Sequence, residues 1–374
     1  MKILVITHEF PPVGGGGGHV ARDICRGLTG RGHEVKVVTS DLLGGVVEED
    51  SYDFDLIRIY TLRKNPSRAS FIAMASFVLN GIKRTLLLWA WDPDLIHVHF
   101  AVPSGPIAWI ISQLTSIPYV ITAHLGDIPG GTPSKTDKWF KWVKPFTYPI
   151  WNNAEKVVAV SKFSRDLAQK HYQVPIQIIH NGVDTINLKF DDIRVHEPPR
   201  LVFAGRFVYQ KNPILLVQVL AELKNVTWNM VMMGDGPLFQ TVEKEVQKHA
   251  LQERVALPGW VAPEQVQKEF LRSDVLFMTS HSEGLPIVGV QALSAGLAIV
   301  ASDIGGFRDL VDQGVNGYLL NPRNKDEFAD VIKGLLSNPE KLLAFKKASR
   351  MKAKHFDKRY VVNEYEKLFR GILD

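Results

Sequence analysis

Cysteine is all but missing from this chain of 374 residues, where Cys25 stands alone. That rules out an intrachain disulfide and a multi-cysteine metal cage, and a reducing compartment fits it best. Long hydrophobic runs are missing too. A membrane-spanning helix needs about 18 uninterrupted apolar residues, and Lys83 and Arg84 break the longest candidate, Ala69 to Trp91. The opening MKILVITHEF holds too few apolar residues before Thr7 and His8 for the centre of a signal peptide, so a cytoplasmic location is expected. No Gly-x-Ser-x-Gly elbow, Gly-x-x-x-x-Gly-Lys-Ser/Thr loop or His-Glu-x-x-His motif occurs, which argues against hydrolase, nucleoside triphosphatase and zinc-enzyme readings. Nucleic acid is not an expected partner, because no recognised binding module or Arg-rich arm accompanies the positive charge.

What is present points to a globular protein of two domains. Apolar residues make up 45% and charged ones 22%, enough to build substantial cores at a length that suits two units. The net charge of +5 is unevenly spread. Residues 1–57 hold 5 basic and 9 acidic side chains, net −4; residues 58–178 hold 14 and 6, net +8; the rest is +5 + 4 − 8 = +1. Inside the basic stretch lies KWFKWVKPFTYPIW, Lys138 to Trp151, where Lys alternates with aromatics. It reads either as a solvated face with its aromatics turned inward, or as an interfacial segment contacting an anionic membrane through 138–151, which would place the chain at the inner face of the cytoplasmic membrane.

Periodicity gives the architecture. Lys2 to Thr7 is a nearly continuous apolar run, as a parallel strand buried on both faces requires, and a glycine run precedes an amphipathic helix near 19–31. Strands at Glu34 to Thr39, Leu95 to Val98, Tyr119 to Thr122 and Lys156 to Val160 follow, with helices near 70–90 and 104–116. A polar, Pro-containing stretch, DDIRVHEPPR from Asp191 to Arg200, reads as a linker. A second series then begins: strands Leu201 to Ala204, Trp228 to Met233, Val275 to Thr279 and Ala298 to Ser302, with helices 213–224, 238–250 and Pro286 to Ala295. The expected fold class is therefore α/β, two doubly wound parallel-sheet lobes with a cleft between them, 1–190 and 191–356. A closing helix, 357–374, is expected to pack back onto the first lobe.

Ligands in such sheets collect where strands end and helices begin. The five glycines after the first strand, Gly14 to Gly18, are candidates to hold phosphate on free backbone NH groups, although they echo the dinucleotide fingerprint only in part. No acidic residue closes the second strand, so a nicotinamide-dependent dehydrogenase is unsupported. Arg206 and Lys211, in FAGRFVYQKNP, put two cations beside a helix start, which suits a diphosphate leaving group. In HSEGLPIVGVQALSAGLAIVASDIGG, Glu283 can hold sugar hydroxyls, Pro286 is placed in the first helical turn, and Gln291, eight residues beyond Glu283, can hydrogen-bond a ribose. His124 with Asp127, in YVITAHLGDI, ends another strand. His97 and His99 share one strand face and read equally well as packing. The carboxylate pairs Asp53/Asp55 and Asp92/Asp94 resemble a metal-binding motif of sugar transferases but sit in turns before strands, and both read as structural.

Taken together, these segments resemble the retaining GT-B glycosyltransferases of the large family that includes phosphatidylinositol mannosyltransferase and sucrose synthase. The matching pieces, in order, are PPVGGGGG, GHEV at Gly32 to Val35, DLIHVHF, ITAHLGD, AVSKFSRD from Ala159, IIHNGVD from Ile178, FAGRFVYQKNP, GDGP from Gly234, LPGW from Leu257, and SEGLPIVGVQALSAGLAIVASDIGG. The resemblance implies a hexosyltransferase using a UDP- or GDP-sugar, with UDP-glucose the first choice of donor. It implies no cofactor, no catalytic metal, and a saccharide or lipid-linked acceptor. Arg206, Lys211, Glu283 and His124 match the family's catalytic positions. Gly15, Gly16, Asp127, Gly205, Gly259, Gly284, Leu285, Pro286, Ile287, Val288 and Gln291 fall at donor-binding ones. Gln291 stands where the family's Glu-x7-Glu motif has its second glutamate, so the charged clasp on the ribose is lost. An epimerase or phosphorylase on the same fold, or a catalytically weak nucleotide-binding homologue, remains an alternative.

Overall fold

Strands buried on both faces come first in each half of the chain. In the computed structural model, which describes residues 1–45, 51–66, 69–131, 133–184 and 193–374, and between 133 and 141 only the side chain of Phe140, the first half alternates strand and helix except where β3 follows β2. Its elements are β1 (Lys2–Thr7), α1 (Gly16–Thr29), β2 (Glu34–Ser40), β3 (Asp55–Ile59), α2 (Phe71–Leu87), β4 (Leu95–His99), α3 (Gly105–Thr115), β5 (Tyr119–Ala123), α4 (Pro133–Asn152), β6 (Lys156–Ala159), α5 (Lys162–Gln169) and β7 (Ile176–Ile178). They form a seven-stranded sheet in the order β3-β2-β1-β4-β5-β6-β7, paired in parallel throughout. The order reverses at β1, the position where such sheets open a crevice at the strands' carboxyl ends.

The second half repeats the scheme with β8 (Arg200–Ala204), α6 (Pro213–Leu220), β9 (Asn229–Met233), α7 (Phe239–Lys248), β10 (Val255–Gly259), α8 (Pro263–Leu271), β11 (Val275–Met278), α9 (Ile287–Ser294), β12 (Ala298–Ser302), α10 (Phe307–Leu310), β13 (Gly317–Leu320), α11 (Lys325–Leu336), α12 (Pro339–Lys352) and α13 (Lys358–Leu373). Its six strands run β10-β9-β8-β11-β12-β13, again all parallel. Branched and aromatic residues dominate the central strands, as burial on both faces demands: Leu201, Val202, Phe203, Val275, Leu276 and Phe277 are all fully buried.

The chain divides into two compact units, 1–182 with 358–374 and 183–357. The two crossings lie side by side: Val183 N donates to the Phe356 carbonyl at 2.9 Å and bridges to Asp357. The boundary expected at 190/191 falls among residues outside the described ones. Helix α13 belongs to the first unit. It seats Val361, Val362, Tyr365 and Phe369 in the core, lies so close to α1 that a Cβ at Gly27 would come 2.3 Å from Val362, and is tied there by Arg31 to Glu366 at 2.6 Å.

The segment 138–151 lies in α4, and its aromatics go both ways. Phe140, Ile150 and Trp151 are buried, whereas Trp142 and Phe146 are exposed at 81% and 75%. A wholly inward-turned set of aromatics is therefore not what forms. Among the described residues, no helix is long and apolar enough to cross a membrane.

Candidate active site

In the second unit the site is assembled at the carboxyl ends of β8 to β11. Glycines let those ends approach closely. Gly205 N donates to Met233 O at 3.0 Å and Gly234 N to Gly259 O at 2.8 Å, and a Cβ at Gly234 would lie 2.0 Å from the Gly205 carbonyl oxygen. Gly234 also has φ +138, a region that only glycine enters freely.

After β8 the chain makes a short 3₁₀ turn, Tyr209–Lys211, that is stitched to the loop after β11. Gln210 accepts from His281 N at 2.8 Å through its carbonyl and donates from Nε2 to Ser282 O at 2.9 Å. Thr279 Oγ1 donates to Asn212 O at 2.8 Å, and the Tyr209 ring tilts over His281 at 4.7 Å. This stitching delivers Lys211 Nζ to Glu283 Oε1 at 2.5 Å, with the two side chains only 16% and 8% exposed. Gly306 secures the other side of the loop: its N donates to Glu283 O at 3.1 Å, and a Cβ there would lie 1.8 Å from Gly284 O. Arg206 does not join the pair. It is exposed and, among the described residues, has no ion-pair partner. A partly desolvated Lys–Glu pair, with an exposed arginine in the same loop as the lysine, gives one carboxylate oriented by its lysine and a second cation open to solvent.

In the first unit the carboxyl ends of β1, β4 and β5 bring four imidazoles together. His99 Nδ1 lies 3.2 Å from His124 Nε2, His97 Nε2 lies 2.9 Å from Thr122 Oγ1, and Thr122 meets the Tyr365 hydroxyl of α13 at 3.0 Å. Phe100 lies between His124 and His8, tilted over the first and edge-on to the second, with centroids 4.3 Å and 4.6 Å away. Burial holds all four neutral at pH 7: His8 and His97 are pushed down to about 3, His124 to about 4, and His99 well below its ordinary value. Asp127 is buried and accepts three backbone NH groups, from Ala101 at 2.7 Å, His124 at 2.9 Å and Leu125 at 3.1 Å. Desolvation nevertheless outweighs those bonds and raises its carboxyl to about 6.

Two family models together match residues 14–352 of this chain: "Glycosyltransferase Family 4" over residues 14–186 and "Glycosyl transferases group 1" over residues 184–352. The chain belongs to this glycosyltransferase family. An uncharacterized glycosyltransferase of Methanocaldococcus jannaschii is 25% identical over 375 residues, covering 100% of this chain and 97% of the relative. Among solved structures, sucrose-phosphate synthase from Thermosynechococcus elongatus superposes with TM-score 0.83 at 20% identity, covering 99% of this chain and 98% of that one. The Anabaena protein HepE, solved in complex with UDP-glucose, gives TM-score 0.77 at 19% identity over 99% and 100%. The transferase has the GT-B fold, and as an enzyme it is a hexosyltransferase.

With the geometry in hand, several expectations about the transferase change. Gly15 does not offer a free NH: its N donates to Glu9 Oε2 at 3.0 Å, so a carboxylate already occupies the place read as a phosphate seat, while Gly16 begins α1. Asp127 is turned to main-chain groups: its two oxygens accept the NH groups of Ala101, His124 and Leu125, which shapes the 124–127 loop and ties it to the end of β4. Pro286 precedes α9 as its N-cap, because its ψ of 115° lies outside the helical region, so the open first turn is Ile287 and Val288. Gly259 takes φ +77 beside Trp260, which is exposed. Leu285 is buried, and Gln291 sits about one turn into α9, half-buried. The sequence reading passed over Gln210, Thr279, Gly306 and Glu9. All four act through main-chain contacts, Glu9 six residues away at Gly15 and the other three across 23 residues or more; only the glycine pair in DIGG carried a local sign of close approach.

Proposed function

We propose that this chain transfers a hexosyl group from a nucleoside diphosphate sugar to a saccharide or lipid-linked saccharide, with retention of anomeric configuration. The second unit takes the donor and the first takes the acceptor. The observation that carries the reading is the Lys211–Glu283 pair at 2.5 Å at the carboxyl ends of a doubly wound sheet, with Arg206 exposed in the same loop after β8 as Lys211. Glu283 accepts from hydroxyls of the donor hexose. Arg206, Lys211 and the open first turn of α9 face the diphosphate, whose growing charge they stabilise as it leaves. With that much fixed positive potential supplied by the chain, no metal is invoked. Gln291 hydrogen-bonds the ribose through its amide. The C1–O bond to the diphosphate breaks as the C1–O bond to the acceptor forms on the same face, and the acceptor proton passes to the departing diphosphate oxygen. His124, neutral at working pH, is suited to hydrogen-bonding the reacting sugar without adding charge.

UDP-glucose is the first choice of donor, supported by the likeness to HepE, which was solved with that compound. Contact with an anionic membrane through 138–151 is supported by the exposure of Trp142 and Phe146. Incubation with a panel of nucleotide sugars and saccharide acceptors tests the reading: glycosylated product is expected from at least one donor and none from the Lys211→Ala variant. A second reading, a catalytically weak nucleotide binder, is favoured by Gln291 alone. Nucleotide binding without turnover of any donor would select it.

A further inference from the structure

Helix α2 buries one stripe and leaves a second apolar stripe uncovered. The buried stripe is Ala73, Phe77, Gly81 and Thr85 at four-residue spacing, packed so closely on α3 that a Cβ at Gly81 would lie 2.4 Å from Ile107 Cδ1. The opposite stripe is Ile72, Ala75, Leu79, Lys83 and Leu86 at three- and four-residue spacing, flanked by Phe71 and Leu87 and continued by Trp89 in the turn that follows. It faces outward: Ile72, Leu79 and Leu87 are 65%, 71% and 66% exposed, and Phe71 and Trp89 are exposed too. A surface helix of a globular protein ordinarily puts polar residues there, and an apolar patch in that place marks an interaction site.

Charge narrows the partner. Between Asp55 and Asp92, residues 56–91 hold six basic residues, Arg58, Arg63, Lys64, Arg68, Lys83 and Arg84, and no acidic one. Arg58 and Arg63 are spent internally, Arg58 on the Pro11 carbonyl and Arg63 on those of His8 and Pro66. Lys64, Lys83 and Arg84 are exposed. A second copy laying the same stretch on this one would bring no acidic side chain to meet Lys83 on the stripe or the exposed Lys64 and Arg84 near it. A surface of anionic headgroups over acyl chains matches both halves of the pattern, with cations at the headgroups, leucines below them and a tryptophan at the boundary.

We infer that the outward stripe of α2, from Phe71 to Trp89, is a peripheral docking surface for an anionic lipid membrane. It is separate from the 138–151 contact and independent of the glycosyl-transfer reading. Flotation of the full chain with vesicles of phosphatidylcholine, alone and with phosphatidylglycerol added, tests it. Binding to the anionic vesicles is expected, weakened by salt. Lys83→Glu with Arg84→Glu is expected to lower it by roughly tenfold or more, and Leu79→Glu with Leu87→Glu is expected to abolish it. The residues are exposed, so the thermal unfolding of these variants should match the parent. Flotation unchanged by either pair of α2 substitutions overturns the proposal. So does flotation lost only with Trp142→Ala and Phe146→Ala, or a self-associated chain in solution that Leu79→Glu disperses. A chain that turns over no donor yet floats as described leaves the inference standing and removes only the transferase reading.

Discussion

Lys211 and Glu283 bring opposite charges into a mostly desolvated place, so removing one harms fold and function by different routes. Lys211→Ala strands a buried carboxylate and is expected to cost roughly 2–4 kcal/mol of stability, measured by urea unfolding. Lys211→Met combined with Glu283→Gln removes both charges; stability should return while kcat/KM stays down by roughly a hundredfold or more. Recovery of activity in the double variant would show that the pair only holds the loop. Arg206→Ala gives the complementary result. The side chain is exposed and unpaired among the described residues, so stability should stay within about 0.5 kcal/mol of the parent while kcat/KM falls roughly a hundredfold. These candidates were legible in the sequence because charged residues just past the ends of buried strands stand out. That Lys211 and Glu283 meet was not, because 72 residues separate them and the stitching runs through main-chain groups of Ser282, His281 and Asn212. The backbone contacts of Asp127 were hidden for a related reason: nothing local shows that its carboxylate accepts the Ala101 NH, 26 residues away.

At the scale of elements, close approach of strand ends decides what the loops can hold. Gly234→Ala would press a Cβ to 2.0 Å from the Gly205 carbonyl oxygen at φ +138, and a loss of roughly 3 kcal/mol or more in thermal unfolding is expected. Gly334 is the control. It lies inside α11 with nothing within 4 Å of a built Cβ, so Gly334→Ala should gain roughly 0.5–1 kcal/mol. The central elements were readable because burial on both faces writes a continuous apolar run: β1 and β12 have the bounds the sequence suggests, Lys2–Thr7 and Ala298–Ser302. The strands β10 and β13 close the second sheet at its edges, and β10, VALPG, has no polar residue to mark an alternation and carries Pro258, which argues against a strand. Helix α4 carries Pro145 and Pro149 inside it, which reads from sequence as a break.

At the scale of the whole molecule, the first unit depends on the end of the chain. Deleting 358–374 removes Val361, Val362, Tyr365 and Phe369 from its core, worth about 1.5–3 kcal/mol each on burial; loss of its cooperative unfolding is expected, with that of unit 183–357 retained. The buried imidazoles set the pH response. Below about pH 6.5 the unfolded chain protonates His8, His97, His99 and His124, whereas in the folded chain His124 resists to about 4, His8 and His97 to about 3, and His99 well below its ordinary value. Stability present at neutral pH is therefore lost as pH falls. Asp127 opposes this, since its raised pKa lets the folded form bind a proton below about 6 that the unfolded form does not yet take. Four imidazoles less one carboxyl leave unfolding to take up about three protons near pH 5, and the urea midpoint should drop between pH 7 and pH 5. The account rests most directly on donor turnover. With nucleotide sugars offered one at a time beside saccharide acceptors, nucleoside diphosphate should be released from at least one, UDP-glucose first, with an α-linked product. Tight nucleotide binding with no donor consumed would contradict it.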